Sequence, residues 1–161
     1  MRWRTATAEE TAELGALLAR ARPEADARLA VLYLRGELGS GKTTFARGFA
    51  RGAGVTAAVR SPTYTLLELY PAGRGTLVHL DLYRVQSAGE LESLGLREWA
   101  TPKHVWLIEW PERGGRRLPA ADLEVTFVAG DAGHDIEIIG TSALGAAWLV
   151  ELSGTASAGS S

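Results

Sequence analysis

Hydrophobic residues follow two recurring patterns along the chain. Residues 29–34, 77–81 and 105–109 are short, largely apolar runs, and such runs are typical of strands buried on both faces of a sheet. Residues 7–22 and 44–52 carry apolar side chains at the three- and four-residue spacing of a helix. Because strands and helices alternate, the pattern predicts an α/β fold built on a central sheet.

Two hairpins are predicted from turn residues that separate extended segments. The segment at 61–70 and the strand at 77–81 are joined by the turn sequence PAGRG. Segments 123–128 and 135–139 are joined by AGDAG. Glycine and proline at these points favour tight reversals, so each pair is predicted to be antiparallel.

The rest of the chain is predicted to be helix and tail. A short helix is expected at 89–96 and a final helix at 143–152. The last residues are glycine, serine, alanine and threonine, with no large apolar side chain to bury. We therefore expect one domain over 1–152 and a disordered tail over 153–161.

A glycine-rich motif connects the strand at 29–34 to the helix at 44–52. The sequence GELGSGKTT at 36–44 matches the P-loop pattern G-x-x-x-x-G-K-[ST]. Backbone N–H groups of such a loop, together with the helix N-terminus, bind phosphate oxygens. The residues expected to bind the phosphates of a nucleoside triphosphate are Gly39, Ser40, Gly41, Lys42, Thr43 and Thr44.

Strand, glycine loop and helix in this order extend the prediction of the fold. We expect a single P-loop NTPase-like α/β domain. Its central mixed sheet should have a parallel core and antiparallel hairpins, with helices on both faces.

The use of lysine supports the P-loop interpretation. The chain has 15 arginines but only two lysines, Lys42 and Lys103. Lys42 lies in the P-loop, where a compact ammonium reaches between phosphate oxygens and the broad guanidinium fork of arginine does not fit. We expect Lys42 to bridge the β- and γ-phosphates as a catalytic residue, and the Thr43 hydroxyl to ligate Mg²⁺.

Two apolar runs end in a carboxylate, Asp81 and Glu109. Ligands of open α/β sheets bind beyond the carboxyl ends of the strands. One acidic residue there can hold Mg²⁺, and a second can orient the attacking water. We predict that Asp81 and Glu109 are catalytic and metal-binding residues, and the sequence leaves open which of them has which task.

Composition and charge limit the classes of function. At 161 residues the chain is long enough for one core, and it has no cysteine for disulfides or thiolate metal sites. A net charge of −2 argues against a broadly basic nucleic-acid surface. No apolar run approaches the length of a membrane span, and the N-terminus has no apolar signal core. We therefore expect a cytoplasmic protein without membrane contact.

Several motifs taken together resemble the bacterial TsaE family, also called YjeE. The motifs are GELGSGKTT at 36–44, RG at 47–48, SPTYTL at 61–66, HLDLYR at 79–84 and IEWPE at 108–112. They occur in the family's order over residues 7–140, and the last three are far more specific than a P-loop alone. Glu37 stands where the family often has aspartate.

The resemblance implies an activity and partners. Members of the family are ATPases required for threonylcarbamoyladenosine next to the anticodon of tRNA. They hydrolyse ATP slowly alone and act with TsaD and TsaB, and their ATP cycle supports repeated turnovers of that complex. The resemblance thus implies ATP and Mg²⁺ as cofactors, with tRNA contacted only indirectly through the complex.

The resemblance also implies a loop that senses the nucleotide. Ser61, Thr63 and Thr65 are expected near the γ-phosphate, where the loop can report the state of the nucleotide. Tyr83 and Trp110 either shape the site or the partner surface, or pack in the core, and packing is the commoner role of aromatic residues. No motif places an arginine finger, although Arg84 can act in cis or pair with a carboxylate.

Two other classes of function are compatible with a P-loop. A small kinase would need an arginine-rich lid, for which the only candidate is Arg113 with Arg116 and Arg117. A nucleotide-dependent binding module would keep its function after hydrolysis is lost. Phosphate transfer to nucleosides separates the kinase from an ATPase, and partner binding by a hydrolysis-deficient variant separates the binding module.

Overall fold

A seven-stranded mixed sheet forms the centre of the protein in a computed structural model that describes residues 1–24, 28–60 and 65–158. The strands are β1 (Arg2–Thr5), β2 (Ala30–Arg35), β3 (Leu67–Pro71), β4 (Thr76–Asp81), β5 (Val105–Glu109), β6 (Leu123–Gly130) and β7 (Gly133–Gly140). Their order in the sheet is β1-β7-β6-β2-β5-β4-β3. Strands β6, β2, β5 and β4 are parallel, whereas β3 and β7 pair antiparallel with their hairpin partners. The predicted parallel core with two hairpins is confirmed.

Helices cover both faces of this sheet, as predicted. They are α1 (Ala8–Arg20), α2 (Lys42–Gly52), α3 (Ala88–Glu92) and α4 (Ala143–Ala158). Core residues of α1, α2 and α4 share one apolar cluster with the sheet, and Leu91 of α3 belongs to a second cluster on the opposite face. The indole N–H of Trp148 donates to the carbonyl of Leu18 at 2.7 Å, which connects α4 to α1.

Side chains alternate between the two faces of the sheet along each parallel strand, and this alternation decides on which face the last residue of the strand lies. In β5, Val105 and Leu107 pack in the cluster below α1 and α2, while Trp106 and Ile108 face α3. Successive side chains of a strand point to opposite faces. Glu109 therefore projects on the α2 side, and Asp81 is its register partner on β4.

Glycines allow α1 and α2 to approach until their backbones touch. A Cβ atom on Gly48 would lie 1.8 Å from the carbonyl oxygen of Ala12, and one on Gly52 would lie 2.4 Å from that of Ala16. On the other helix, a Cβ on Gly15 would lie 2.3 Å from the carbonyl oxygen of Phe45. All three distances are below any real Cβ contact, so the spacing of the two helices depends on these glycines.

The structure differs from the sequence prediction at both ends of the chain. Strand β1 was not predicted because its sequence RWRT has two exposed arginines and little apolar surface; backbone pairing with β7 forms it. We predicted a tail at 153–161, but α4 continues through Ala158. There the hydroxyls of Ser153, Thr155 and Ser157 each donate to the carbonyl four residues earlier. These polar side chains therefore find hydrogen-bond acceptors inside the helix itself.

Smaller differences concern α3 and the first hairpin. Helix α3 ends at Glu92, residues 93–95 form a turn, and a 3-10 helix at Leu96–Trp99 begins at the last residue of the segment predicted as one helix. Strand β3 begins at Leu67, and 61–64 of the predicted extended segment lie outside the described residues. Among the helices of the described part of the chain, none combines the length and apolar character that crossing a membrane requires.

We predict that Gly48→Ala destabilises the protein by about 1–3 kcal/mol, the usual cost of overpacking a tight contact. The new methyl group would meet the backbone of Ala12, so one helix has to move. The measurement is urea unfolding followed by far-UV circular dichroism.

Gly154→Ala is the matched control. A Cβ at Gly154 of α4 has no heavy atom within 4 Å, so only the gain in helix propensity remains, at most about 1 kcal/mol of stabilisation. Equal unfolding midpoints for the two variants would contradict the tight helix contact.

Candidate functional site

The loop between β2 and α2 has the backbone conformation of a phosphate-binding nest. Gly39 and Gly41 have φ angles of 72° and 102°, in the left-handed region that other residues avoid. At Gly36 a Cβ would lie 2.6 Å from the Ser40 hydroxyl and 2.8 Å from the carbonyl of Phe127. The predicted glycines are therefore required by the geometry of this loop, and α2 begins directly after it at Lys42.

Lys42 is folded over its own loop. Its ammonium donates to the carbonyls of Gly36 and Glu37, the latter at 2.8 Å, and lies 3.4 Å from the Ser40 hydroxyl. It also lies 4.6 Å from the centre of the Trp110 ring, within the range of a cation–π contact. Burial lowers the pKa of Lys42, while the carboxylates of Glu109 and Asp81 act in the opposite direction.

Glu109 is a buried carboxylate with a partner on each oxygen. Only 2% of the residue is exposed. Oε1 accepts a hydrogen bond from the Thr43 hydroxyl at 3.1 Å, and Oε2 lies 2.7 Å from Nε2 of His79. Glu109 thus connects the first turn of α2 to strand β4.

Asp81 lies beside Glu109 at the ends of two parallel strands. Its Oδ1 accepts from the backbone N–H of Tyr83 at 3.1 Å. Burial raises the pKa of Asp81, the N–H of Tyr83 lowers it, and the neighbouring charge of Glu109 raises it further. The protein therefore holds the charged form of Asp81 at a cost, which is common for groups that act on a ligand.

All eight residues predicted to bind phosphate or metal line one pocket of about 550 Å³. Its lining also includes Tyr83, Arg84, Trp110, His134, Leu38 and four residues at or just before the start of α1, namely Ala6, Thr7, Ala8 and Thr11. The predicted P-loop and the two predicted carboxylates therefore meet at one end of the sheet.

The donors of this pocket fit ATP and Mg²⁺. The nest supplies N–H groups for phosphates, and Thr43, Asp81 and Glu109 supply the oxygen ligands that Mg²⁺ prefers. In the described part of the chain, no group of three or more His, Asp or Glu residues could hold a metal ion by itself. A magnesium ion here would need phosphate oxygens as further ligands, which is usual for nucleotide sites.

Comparison with known proteins identifies the family. The model of the family described as threonylcarbamoyl adenosine biosynthesis protein TsaE matches residues 5–136. The chain belongs to this family. The predicted resemblance to TsaE proteins is therefore confirmed over most of the chain.

Individual TsaE relatives agree with the family match. The tRNA threonylcarbamoyladenosine biosynthesis protein TsaE of Haemophilus influenzae is 43% identical over 115 residues, covering 71% of this chain and 73% of the relative. That of Bacillus subtilis is 40% identical over 137 residues, covering 84% and 83%. The crystal structure of Bacillus subtilis YdiB superposes with a TM-score of 0.77 at 33% identity, covering 95% of this chain and 93% of that one.

The structure also brings residues to the site that the sequence reasoning did not assign. His79 contacts Glu109, and His134 of β7 lines the pocket. His79 could have been found from strand alternation, because it lies two residues before Asp81 on the same face. His134 gave no local signal, since a hairpin brings it to the pocket from a distant part of the chain.

The structure describes both Tyr83 and Trp110 but only part of the loop that is predicted to sense the nucleotide. Tyr83 and Trp110 are half-buried, line the pocket and have ring centres 4.9 Å apart, and Trp110 also packs against the second apolar cluster. Ser61 and Thr63 lie outside the described residues. Thr65 is described, and its hydroxyl donates to Glu68 at 3.0 Å.

We predict that Asp81→Asn makes the nucleotide-free protein more stable at pH 7. A raised pKa in the folded state means that the charge of Asp81 opposes folding above that pKa. As the pH falls from the raised value toward the usual aspartate pKa of about 3.9, wild-type Asp81 becomes protonated and the advantage of the variant should vanish. The measurement is urea unfolding at several pH values.

Asp122→Asn provides the control. Both oxygens of Asp122 accept hydrogen bonds, from the N–H of Val31 at 2.9 Å and the hydroxyl of Ser142 at 2.6 Å. An amide NH₂ accepts none, so this variant should lose about 1–3 kcal/mol. A comparable loss of stability for Asp81→Asn at pH 7 would contradict the prediction that the charge of Asp81 opposes folding.

Proposed function

We propose that the protein is a Mg²⁺-dependent ATPase that supports threonylcarbamoyladenosine modification of tRNA next to the anticodon, in the cytoplasm. The observation that carries the proposal is the convergence of the P-loop, Asp81 and Glu109 on one pocket. Membership of the TsaE family supports the pathway. The proposed partners are TsaD and TsaB, and tRNA is reached only through them.

Residues of the pocket divide the work of ATP hydrolysis. Gly39, Ser40, Gly41 and Thr44 bind phosphate oxygens through the loop and the start of α2. Lys42 turns from the carbonyls of the loop to the β- and γ-phosphates. A bound Mg²⁺ would neutralise charge on those phosphates.

The two carboxylates take different tasks in this proposal. Glu109 shares a hydrogen bond with Thr43, the P-loop hydroxyl that ligates Mg²⁺ in this class of site. We therefore assign Thr43 and Glu109 to the metal. Asp81, which accepts a backbone hydrogen bond and has no hydrogen bond with Thr43 among those of the described residues, is assigned to the attacking water.

The pocket supports slow hydrolysis by the isolated chain. Arg84 lines it, but no arginine of the segment Arg113–Arg117 is among the described residues that do. Instead, the Arg113 guanidinium lies 5.5 Å from the Tyr83 ring, and Arg117 pairs with Glu92 at 3.7 Å. This arrangement gives no support to a kinase lid, and it leaves a place for a cation supplied by a partner.

Lys42→Ala is expected to lower ATP hydrolysis by about 10²-fold or more while the domain stays folded. The charge of Lys42 acts on phosphates, and its loss removes a preorganised electrostatic contact. The measurement is phosphate release at saturating ATP, with circular dichroism to verify folding. Lys103→Ala, at the exposed second lysine, should keep wild-type hydrolysis; wild-type hydrolysis by Lys42→Ala would refute the proposal.

A complex with TsaD and TsaB is expected to raise the rate of phosphate release above the sum of the separate proteins. A cation supplied by a partner is worth about 10³–10⁵ in related phosphoryl-transfer enzymes. The same mixture with the Lys42→Ala variant should show no increase, which would show that this chain is the source of the additional phosphate release. An unchanged rate in the wild-type mixture would argue against activation by these partners.

A further inference from the structure

His79 is a buried polar residue that touches the site without lining it. It lies on β4 two residues before Asp81, and only 1% of it is exposed. It is absent from the described residues that line the pocket. A nucleotide bound there would therefore not contact His79, and any role in catalysis must pass through another residue.

Glu109 is the residue through which His79 can act. Nε2 of His79 lies 2.7 Å from Oε2 of Glu109, and both side chains are almost completely buried. Nδ1 is also buried and has no hydrogen-bond partner among the described residues. Because a carboxylate oxygen accepts, the proton of this contact is on Nε2 of His79. The imidazole therefore donates to Oε2 of Glu109.

The two hydrogen bonds of Glu109 fix the plane of its carboxyl group. One oxygen is held by His79 and the other faces Thr43. Without His79, Oε2 would be a buried acceptor with no partner, and the side chain could turn to satisfy it. The same position of β4 could pack an apolar side chain against the neighbouring Leu107, its register partner on β5. Burying a polar pair costs free energy that apolar packing at this position would not, so the presence of the pair points to a function.

We propose that His79 is a positioning residue that holds Glu109 so that Oε1 faces Thr43 and the metal side of the pocket. The proposal rests on the proposed function, because Glu109 is assigned to Mg²⁺ there. Hydrogen bonds of this kind orient metal ligands, and their loss usually costs about 10–100-fold in metal affinity or activity.

The amide variants His79→Gln and His79→Asn form a matched pair for the test. The amide nitrogen of glutamine reaches the place of Nε2, whereas that of asparagine stays near the place of Nδ1. Both variants are polar and differ by one methylene. Glutamine should keep the contact with Glu109, and asparagine should lose it.

The main readout is the Mg²⁺ concentration that gives half-maximal binding of a fluorescent ATP analogue. His79→Asn should raise this concentration about 10-fold or more, and His79→Gln should remain within a few-fold of the wild type. Steady-state kinetics should show the same order, with a loss in kcat that exceeds any change in KM for ATP. Urea unfolding in the absence of nucleotide reports separately on stability.

A double-mutant cycle with Glu109→Gln tests whether the effect passes through Glu109. In the Glu109→Gln background, His79→Asn should produce no further change in Mg²⁺ dependence. A full additional shift in that background would overturn the proposal. Equal Mg²⁺ dependence of wild type and His79→Asn, with only a loss of stability, would also overturn it and make His79 a structural residue.

Failure of the proposed function gives a different result. If the wild type binds the analogue equally with and without Mg²⁺, Glu109 is not a metal residue and both proposals fall. If wild-type binding requires Mg²⁺ and Glu109→Gln weakens it, but His79→Asn does not, only the positioning role is refuted.

Discussion

Direct backbone contact between α1 and α2 is the constraint on which the site depends. Gly15, Gly48 and Gly52 remove the side chains that would hold the helices apart. The N-terminal turn of α2 belongs to the P-loop, and the start of α1 forms a wall of the pocket. The distance between these two parts of the pocket is therefore set by the helix contact, whose glycines are not among the described residues that line the pocket. A well-packed interior transmits such a displacement rather than absorbing it.

Two carboxylates and one lysine ammonium lie together at the end of the sheet. Asp81 and Glu109 end neighbouring strands in register, and the charge of Glu109 helps to raise the pKa of Asp81. Lys42 lies close enough to act on their charges, and His79 and Thr43 satisfy Glu109. The arrangement places two acidic side chains where the proposed Mg²⁺ would be bound. The raised pKa of Asp81 means that holding its charge beside Glu109 is a cost in stability.

Sequence patterns predicted the parts of this protein that depend on local chemistry. The strand, P-loop and α2 followed from a motif whose glycines and lysine each have a physical task, and the parallel core followed from its apolar runs. Strand β1 was missed because an edge strand is formed by hydrogen bonds to its neighbour, here β7, and needs no apolar pattern. His134 was missed for the related reason that only the folded hairpin brings it to the pocket.

The continuation of α4 shows that composition alone did not predict where this helix ends. Serine, threonine and glycine lower the expected helix content, yet Trp148 and Leu152 fix the preceding turns in the core. Once a helix has been nucleated by packing, adding another residue costs little. Side-chain hydroxyls that bond within the helix then allow a polar sequence to continue it.

The hydrogen bonds of Lys42 have a consequence for affinity. Its ammonium donates to the carbonyls of Gly36 and Glu37, in the same loop whose N–H groups are proposed to bind phosphate. A phosphate bound as proposed would have to compete with these carbonyls for the lysine, so its affinity would be a difference between two sets of contacts. A protein that loosens the carbonyl contacts would tighten nucleotide binding without touching the nucleotide. The loop thus contains its own internal competitor, whose strength can be changed from outside the pocket.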